Sequence, residues 1–235
     1  MKAMILCAGF GTRLKPLTLD NPKPLLKIGN ETLLSNTLNF LESFGIDHAI
    51  INVHYLSEKI VNYINTIKSN FNFNITIIEE KNNILDTGGG VLNAIQHFYN
   101  EIFLVINPDT IWNKDYLEEL NSLKKSFFSN INSKCHMLVV DKTKSFDKSF
   151  KGDFNLEKNL IVRNKKNELK YIFTGLQLVK PEVFSKTNTK IFSINKIWDQ
   201  LIINKQLHGL ESKVNFLHVS NLNVYKELIK KNFKY

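Results

Sequence analysis

Short apolar runs alternate with helically spaced apolar residues along the first half of the chain. Ala3–Cys7 is an apolar run that ends at glycine, the pattern of a buried strand. Leu34, Leu38 and Leu41 recur at helical spacing, and Gly45 stops that helix. Ala49–Val53 reads as the next strand. Ile60, Ile64 and Ile67 mark a second helix with Ser57 as its N-cap. Ile75–Ile78 is a third strand, and Val91–Phe98 a helix that starts after three consecutive glycines. Ile102–Ile106 is apolar throughout, as expected of a strand covered on both faces. The rhythm predicts an α/β fold, a parallel sheet with helices on both sides. The later part reads differently: strands at Met137–Val140, Leu160–Val162 and Tyr171–Val179, a helix near Ile194–Ile203 and a last one near Leu222–Ile229. A return strand at the edge of the parallel sheet makes the expected fold a doubly wound, Rossmann-like mixed sheet. No repeat and no linker rich in Pro, Gly or Ser divides the chain, so one domain over residues 1–235 is expected.

Composition narrows the class without naming it. At 235 residues, 43% hydrophobic and 23% charged, the chain is an ordinary globular one. The net charge of +9 is compatible with a polyanion partner. The lysines are scattered, however, with no basic run and no interleaved aromatics, so no nucleic-acid footprint is expected. The same field would favour small anionic substrates. Cys7 and Cys135 lie far apart in apolar runs, and no metal or redox spacing joins them; both read as buried free thiols. The sequence opens on a strand pattern without a signal-peptide core, and no apolar run approaches the ~20 residues that span a bilayer. The expectation is a cytoplasmic protein with no membrane partner.

Rare residues cluster where chemistry would sit. Ligands of open parallel sheets bind beyond the carboxyl ends of the strands. Gly9-Phe-Gly-Thr-Arg13 follows the first strand, Thr87-Gly-Gly-Gly90 precedes a helix, and Asn107-Pro-Asp109 follows the most buried strand. Arg13 is one of only two arginines, the other being Arg163; a planar fork of donors suits a phosphate. A dinucleotide fingerprint fails, because Leu14 stands where its third glycine belongs and the acidic residue ~20 positions on is missing. A Walker A loop fails for want of Gly-Lys-Ser/Thr. What remains is a glycine loop followed by Pro22-Lys23-Pro24. The prolines are expected to hold Lys23 extended and deny it a helix. It then stands either as an α-phosphate ligand or as a surface lysine in a turn.

These residues resemble the sugar-1-phosphate nucleotidyltransferases, whose signature is Gly-x-Gly-Thr-Arg-Leu-x-Pro-Leu-Thr followed by Pro-Lys-Pro. The likeness runs over nearly the whole chain. Asp86-Thr-Gly-Gly-Gly, Gly152-Asp-Phe, Phe173-Thr-Gly and the short length resemble the N-acetylmuramate α-1-phosphate uridylyltransferase branch of cell-wall recycling. Mannose-1-phosphate guanylyltransferases share the opening motif. The resemblance implies the family's glycosyltransferase-A-like fold and a direct transfer. A sugar phosphate oxygen attacks the α-phosphorus of a nucleoside triphosphate, UTP in that branch, and pyrophosphate leaves. It implies that Ala8, Gly9, Gly11 and Thr12 line the triphosphate and that Arg13 holds the leaving pyrophosphate. Lys23 would hold the α-phosphate and sugar phosphate. Thr87 and Gly88 would face the base with Glu80 nearby, Asn107, Asp153 and Gly175 would contact the sugar, and Asp109 would bind Mg²⁺.

Two departures from the family pattern stand out. The usual Asn-Gly-Asp is Asn107-Pro-Asp109, which removes any backbone donor at 108. The usual second metal aspartate, in Trp-x-Asp-x-Gly-Thr, is His218 in Phe216-Leu-His-Val-Ser-Asn221. Mg²⁺ prefers oxygen, so His218 stands open between metal ligand, phosphate contact and packing residue. A weakened homologue that only binds nucleotide or sugar phosphate is the reading these departures would favour. Trp112 and Trp198 read as core.

Overall fold

A computed structural model of the chain describes residues 1–164 and 168–231. Its strands are β1 (Lys2–Leu6), β2 (Lys27–Ile28), β3 (Glu31–Thr32), β4 (His48–Val53), β5 (Asn74–Glu79), β6 (Phe103–Ile106), β7 (Cys135–Asp141), β8 (Asn155–Glu157), β9 (Leu160–Val162), β10 (Tyr171–Val179) and β11 (Leu207–Ser212). Its α-helices are α1 (Leu33–Phe44), α2 (Ser57–Ile67), α3 (Asp86–Ala94), α4 (Asp115–Ser129), α5 (Asn195–Ile203) and α6 (Leu222–Lys230). Among the described residues, nine strands form one sheet in the order β5-β4-β1-β6-β10-β7-β11-β9-β8. β5, β4, β1 and β6 run parallel; β10 runs antiparallel to both β6 and β7, and β11 is parallel to β7. The mixed, doubly wound sheet is the predicted one. No helix among the described residues is long and apolar enough to cross a membrane.

Alternation along the strands feeds two apolar layers. Ala3 and Ile5 of β1 face α1, α2 and α4, where they pack with Leu34, Leu38, Ile60, Ile64, Leu120 and Leu123. Met4 faces the other way, into a layer closed by Val91 and Ala94 of α3 and Trp198 and Leu201 of α5. α1 starts on a capping box between Thr32 and Ser35 that the sequence reading did not pick out, and it ends on Gly45 in the left-handed region, the predicted stop. Both cysteines and both tryptophans are buried. Burial pushes both thiols far above their usual range, so neither is a nucleophile.

Several local expectations change. α4, the longest helix, carries its buried stripe at Tyr116, Leu120, Leu123 and Phe127 among charged residues, so no apolar run announces it. β11 reads Leu-His-Gly-Leu-Glu-Ser and is a strand because β7 lies beside it over its full length. Ser57 is not the cap of α2 but its first residue: Leu56 takes the cap position, and the Ser57 hydroxyl donates to Glu79 Oε1 at 2.8 Å.

The glycine run is the largest correction. α3 begins at Asp86, so Gly88–Gly90 are buried helical residues and not a loop before Val91. A Cβ at Gly89 would lie 2.2 Å from the Lys190 carbonyl oxygen, and one at Gly88 would lie 2.4 Å from the Phe192 ring. The glycines admit the 190–194 segment against the first turns of the helix. That segment in turn caps them: the N–H groups of Gly88 and Gly89 both donate to the Phe192 carbonyl, at 2.9 and 3.0 Å.

Candidate active site

The strand order puts the carboxyl ends of β1, β4, β5 and β6 on one rim, where a cavity of about 350 Å³ opens. The loop after β1 forms one wall. Among the described residues, no N–H from Ala8 to Arg13 makes a hydrogen bond, although Cys7 N–H before them and Leu14 N–H after them both do. Gly9 has open space where a Cβ would be, and Gly11 is left-handed at φ 62°. A run of free N–H groups in such a loop is a concave anion cradle. Thr12 and Arg13 are exposed at its edge, and Arg13 makes no ion pair or hydrogen bond with another described residue.

Lys23 stands beside this loop, its Cβ 3.1 Å from where a Gly11 Cβ would lie, on a short 3₁₀ turn, Lys23–Leu25, and not on an extended segment. Pro22 is extended, but Pro24 occupies an early position of the turn, where a missing N–H costs nothing. The Lys23 Nζ lies 2.5 Å from Asp109 Oδ2. His218 Nε2 lies 3.1 Å from the same oxygen. His218 is held there by backbone pairing of 217–219 with 109–111 and by stacking on Phe216, with ring centroids 5.5 Å apart. Burial pushes the Asp109 carboxyl up, but Lys23 and His218 outweigh it and hold the group well below the usual carboxylate range. Asp109 Oδ1 is buried and has no partner, and neither has His218 Nδ1.

That orphaned carboxylate oxygen fits a hard cation. Among the described residues no group of three His, Cys, Asp or Glu surrounds it, so the chain offers one carboxylate and leaves the other positions to substrate oxygens. Mg²⁺ is bound in that manner in phosphate chemistry. His218 is aimed at the carboxylate, not away from it.

Asn107 forms another corner of the cavity. Its N–H donates to the Gly175 carbonyl at 2.8 Å, and its own carbonyl accepts from Trp112 Nε1 at 3.0 Å. Gly175 is at φ +92° in the bulge of β10, and a Cβ there would lie 2.9 Å from Asn107 Cβ. Of the residues singled out in the sequence, Ala8, Gly9, Gly11, Thr12, Arg13, Lys23, Thr87, Asn107 and Asp109 line the cavity together. Glu80, Gly88, Asp153, Gly175 and His218 stand outside its wall. Gly88 has its N–H engaged by Phe192 and its carbon against the ring. Asp153 accepts from Phe173 N–H at 3.0 Å on an exposed stretch. Three further lining residues, Asn52, Asp86 and Ser220, are given no site role by the sequence reading. Asn52 is a polar residue inside an apolar strand, the one hint available. Asp86 is left-handed, with its Oδ1 on Thr87 N–H at 2.6 Å. Ser220 donates to Asp147.

A free-amide loop, a lysine and a buried carboxylate at the rim of such a sheet define a nucleotide-handling transferase. Residues 2–146 match the nucleotidyl transferase family, and the chain belongs to it. It is a transferase of the kind that acts on sugar 1-phosphates, a class that generally uses a divalent metal. Over 222 residues it is 27% identical to N-acetylmuramate alpha-1-phosphate uridylyltransferase from Caulobacter vibrioides, covering 93% of this chain and 91% of the relative. It is 30% identical over 210 residues to mannose-1-phosphate guanylyltransferase 1 from Arabidopsis thaliana, covering 83% of this chain but 54% of that longer relative. The crystal structure of HddC from Yersinia pseudotuberculosis superposes with a TM-score of 0.73 at 25% identity, covering 98% of each chain. That protein was also solved with GMP-PN bound.

Proposed function

We propose that residues 1–235 act as one unit that transfers UMP from UTP to N-acetylmuramate 1-phosphate, with Mg²⁺, as a step of cell-wall recycling in the cytoplasm. The observation that carries the transfer chemistry is Lys23 set 2.5 Å from Asp109 beside the free amides of Ala8–Arg13. In this reading the amides of Ala8, Gly9, Gly11 and Thr12 hold the triphosphate. Arg13, free of protein partners, takes the pyrophosphate as it leaves. A sugar phosphate oxygen forms the new bond to the α-phosphorus while the bond to the bridging α,β-oxygen breaks. No proton transfer is needed at neutral pH, because attacking and leaving groups are both phosphate oxygens. Lys23 is the charge that spans both in the transition state, since such reactions depend on positioning and neutralisation. Asp109 would hold Mg²⁺ through its unpartnered oxygen, and the ion when bound would add neutralisation of phosphate charge. His218 orients Asp109 through its other oxygen. Thr87 borders the base, and Asn107, on its Gly175 support, the sugar together with Asp153.

The muramate assignment rests on the motifs Asp86-Thr-Gly-Gly-Gly, Gly152-Asp-Phe and Phe173-Thr-Gly and on a uridylyltransferase relative that is 27% identical over 93% of this chain. GTP with mannose 1-phosphate is the second reading, favoured by the 30% identity of the guanylyltransferase relative. A matrix of nucleoside triphosphates against sugar 1-phosphates, read by pyrophosphate release, tests both. The highest kcat/KM is expected for UTP with N-acetylmuramate 1-phosphate. A higher value for GTP with mannose 1-phosphate replaces the substrate assignment, and absence of turnover for every pair removes the transfer reaction.

A further inference from the structure

From Asn52 in the cavity wall inward lies a short chain of hydrogen bonds whose donors converge on Glu80. Cys7 N–H donates to Asn52 Oδ1 at 3.0 Å, Asn52 Nδ2 donates to Glu80 Oε1 at 2.7 Å, and Leu85 N–H donates to Glu80 Oε2 at 2.8 Å. Asn52 and Glu80 are each 3% exposed. Among the described residues Glu80 has no cationic partner, so these neutral donors are what its side chain receives. The two ends of the chain sit at the two walls of the nucleotide cavity. Cys7 is the last residue before the Ala8–Arg13 amides, and Leu85 the last before Asp86 and Thr87.

The polarity of this chain is fixed by its ends. A backbone N–H can only donate, so Asn52 must turn its oxygen to Cys7 and its nitrogen to Glu80. Glu80 then faces a donor on each oxygen, and a carboxylate is the side chain of this shape that accepts on both. An amide at 80 would set N–H against N–H at one end. Turning Asn52 over does not relieve this, because it moves the conflict to Cys7. Gly90 belongs to the same unit: a Cβ there would lie 2.6 Å from Asn52 Nδ2 and 2.9 Å from Glu80 Oε1. The third glycine of the run thus makes room for the strut.

We infer that Asn52 and Glu80, with Gly90 as the space they need, are positioning residues that hold the phosphate-binding amides and the base wall at one fixed separation, without Glu80 touching the nucleotide. This rests on the cavity being the nucleotide site. The strut spans only the nucleotide walls, so its loss should appear in the KM for nucleoside triphosphate and not in the KM for sugar phosphate.

The conservative reversal of polarity tests this. Glu80→Gln should raise the KM for UTP about 10-fold, the scale for leaving one buried donor unpaired, with the KM for sugar phosphate changed less than 2-fold. Asn52→Asp should be worse, since two carboxylates then face each other. The double variant N52D/E80Q rebuilds the chain with every donor on an acceptor and one carboxylate at 52, and should return the KM for UTP to within about 3-fold of wild type. Direct calorimetric titration of UTP gives the same comparison should turnover be too slow, and Gly90→Ala gives the Glu80→Gln phenotype by sterics should Asn52→Asp fail to fold. Unchanged KM for UTP in Glu80→Gln, equal change in both KM values, or a double variant no better than the singles would overturn the strut. Wild-type protein that binds no nucleoside triphosphate in the same titration would instead overturn the nucleotide reading of the cavity, and the strut's role with it.

Discussion

The two halves of the sheet place their polar groups differently. In β5-β4-β1-β6, every strand runs the same way, and the fully buried positions of β1, β4 and β6 are apolar except Asn52. Polar atoms gather past the strand ends, and that rim is the cavity. In β10-β7-β11, β10 runs against β7 while β11 runs with it, and the buried strand positions include His136, Thr174, Gln177, His208 and Ser212. Here polar atoms lie inside the sheet: Gln177 Oε1 accepts from Trp198 Nε1 at 2.9 Å and from Cys135 Sγ at 3.1 Å, while His136 Nδ1 and His208 Nδ1 are buried without a partner. A parallel half with a clean interior can collect its chemistry at one edge. A mixed half tied together by internal polar contacts is a brace for that edge, and its weak points are electrostatic rather than catalytic.

The largest effect expected from this division is on turnover. Lys23→Ala should lower kcat by about 10²–10³-fold, the cost of one preorganised charge in the transition state, while melting temperature changes little. Unchanged kcat with a raised KM for triphosphate would make Lys23 a ground-state binder. Asp109→Asn should abolish the response of activity to Mg²⁺ titration, since a neutral amide holds a hard dication poorly.

Acid should act on the other half. Burial, with the neighbouring His208 adding to it, lowers the His136 pKa from 6.5 to about 4, and burial lowers His208 as well. Below 6.5 the unfolded chain takes up a proton that the folded one refuses until about 4. Stability present above 6.5 is therefore lost as pH falls from 6.5 to 4, by roughly 3 kcal/mol for His136. Thermal melts across that range should slope for wild type and flatten for His136→Gln. Parallel slopes in the two proteins would move the acid sensitivity elsewhere.

The smallest effect tests the glycine run. Gly89→Ala meets the Lys190 carbonyl and should cost about 1–3 kcal/mol by overpacking, read as a lower denaturant midpoint. A variant as stable as wild type would return the run to a loop-like role.

Much was legible because it is local. Apolar runs and helical stripes specify β1, β4, β5, β6, α1 and the last two helices. The glycine loop, Lys23 and Asp109 were identifiable because the residue types are scarce and because parallel strand ends share one rim. α4 carries the same helical spacing at Tyr116, Leu120, Leu123 and Phe127 and was passed over although it was readable, whereas β11 takes its strand from a neighbour.

The parallel half and the glycine loop with the charges near it could be read from the chain alone, because periodicity and backbone restriction act between near neighbours. That the loop's amides stay unbonded, that Gly88–Gly90 are packing residues, that Glu80 faces Asn52 and Leu85, and that His218 meets Asp109 came from the folded arrangement. Whether a Cβ has room, and which acceptor a buried donor finds, depend on segments that meet from far apart in the chain, Lys23 and Asp109 across 86 positions among them. Local pattern carries no record of such meetings, and in a close-packed interior they decide what each polar atom is left free to do.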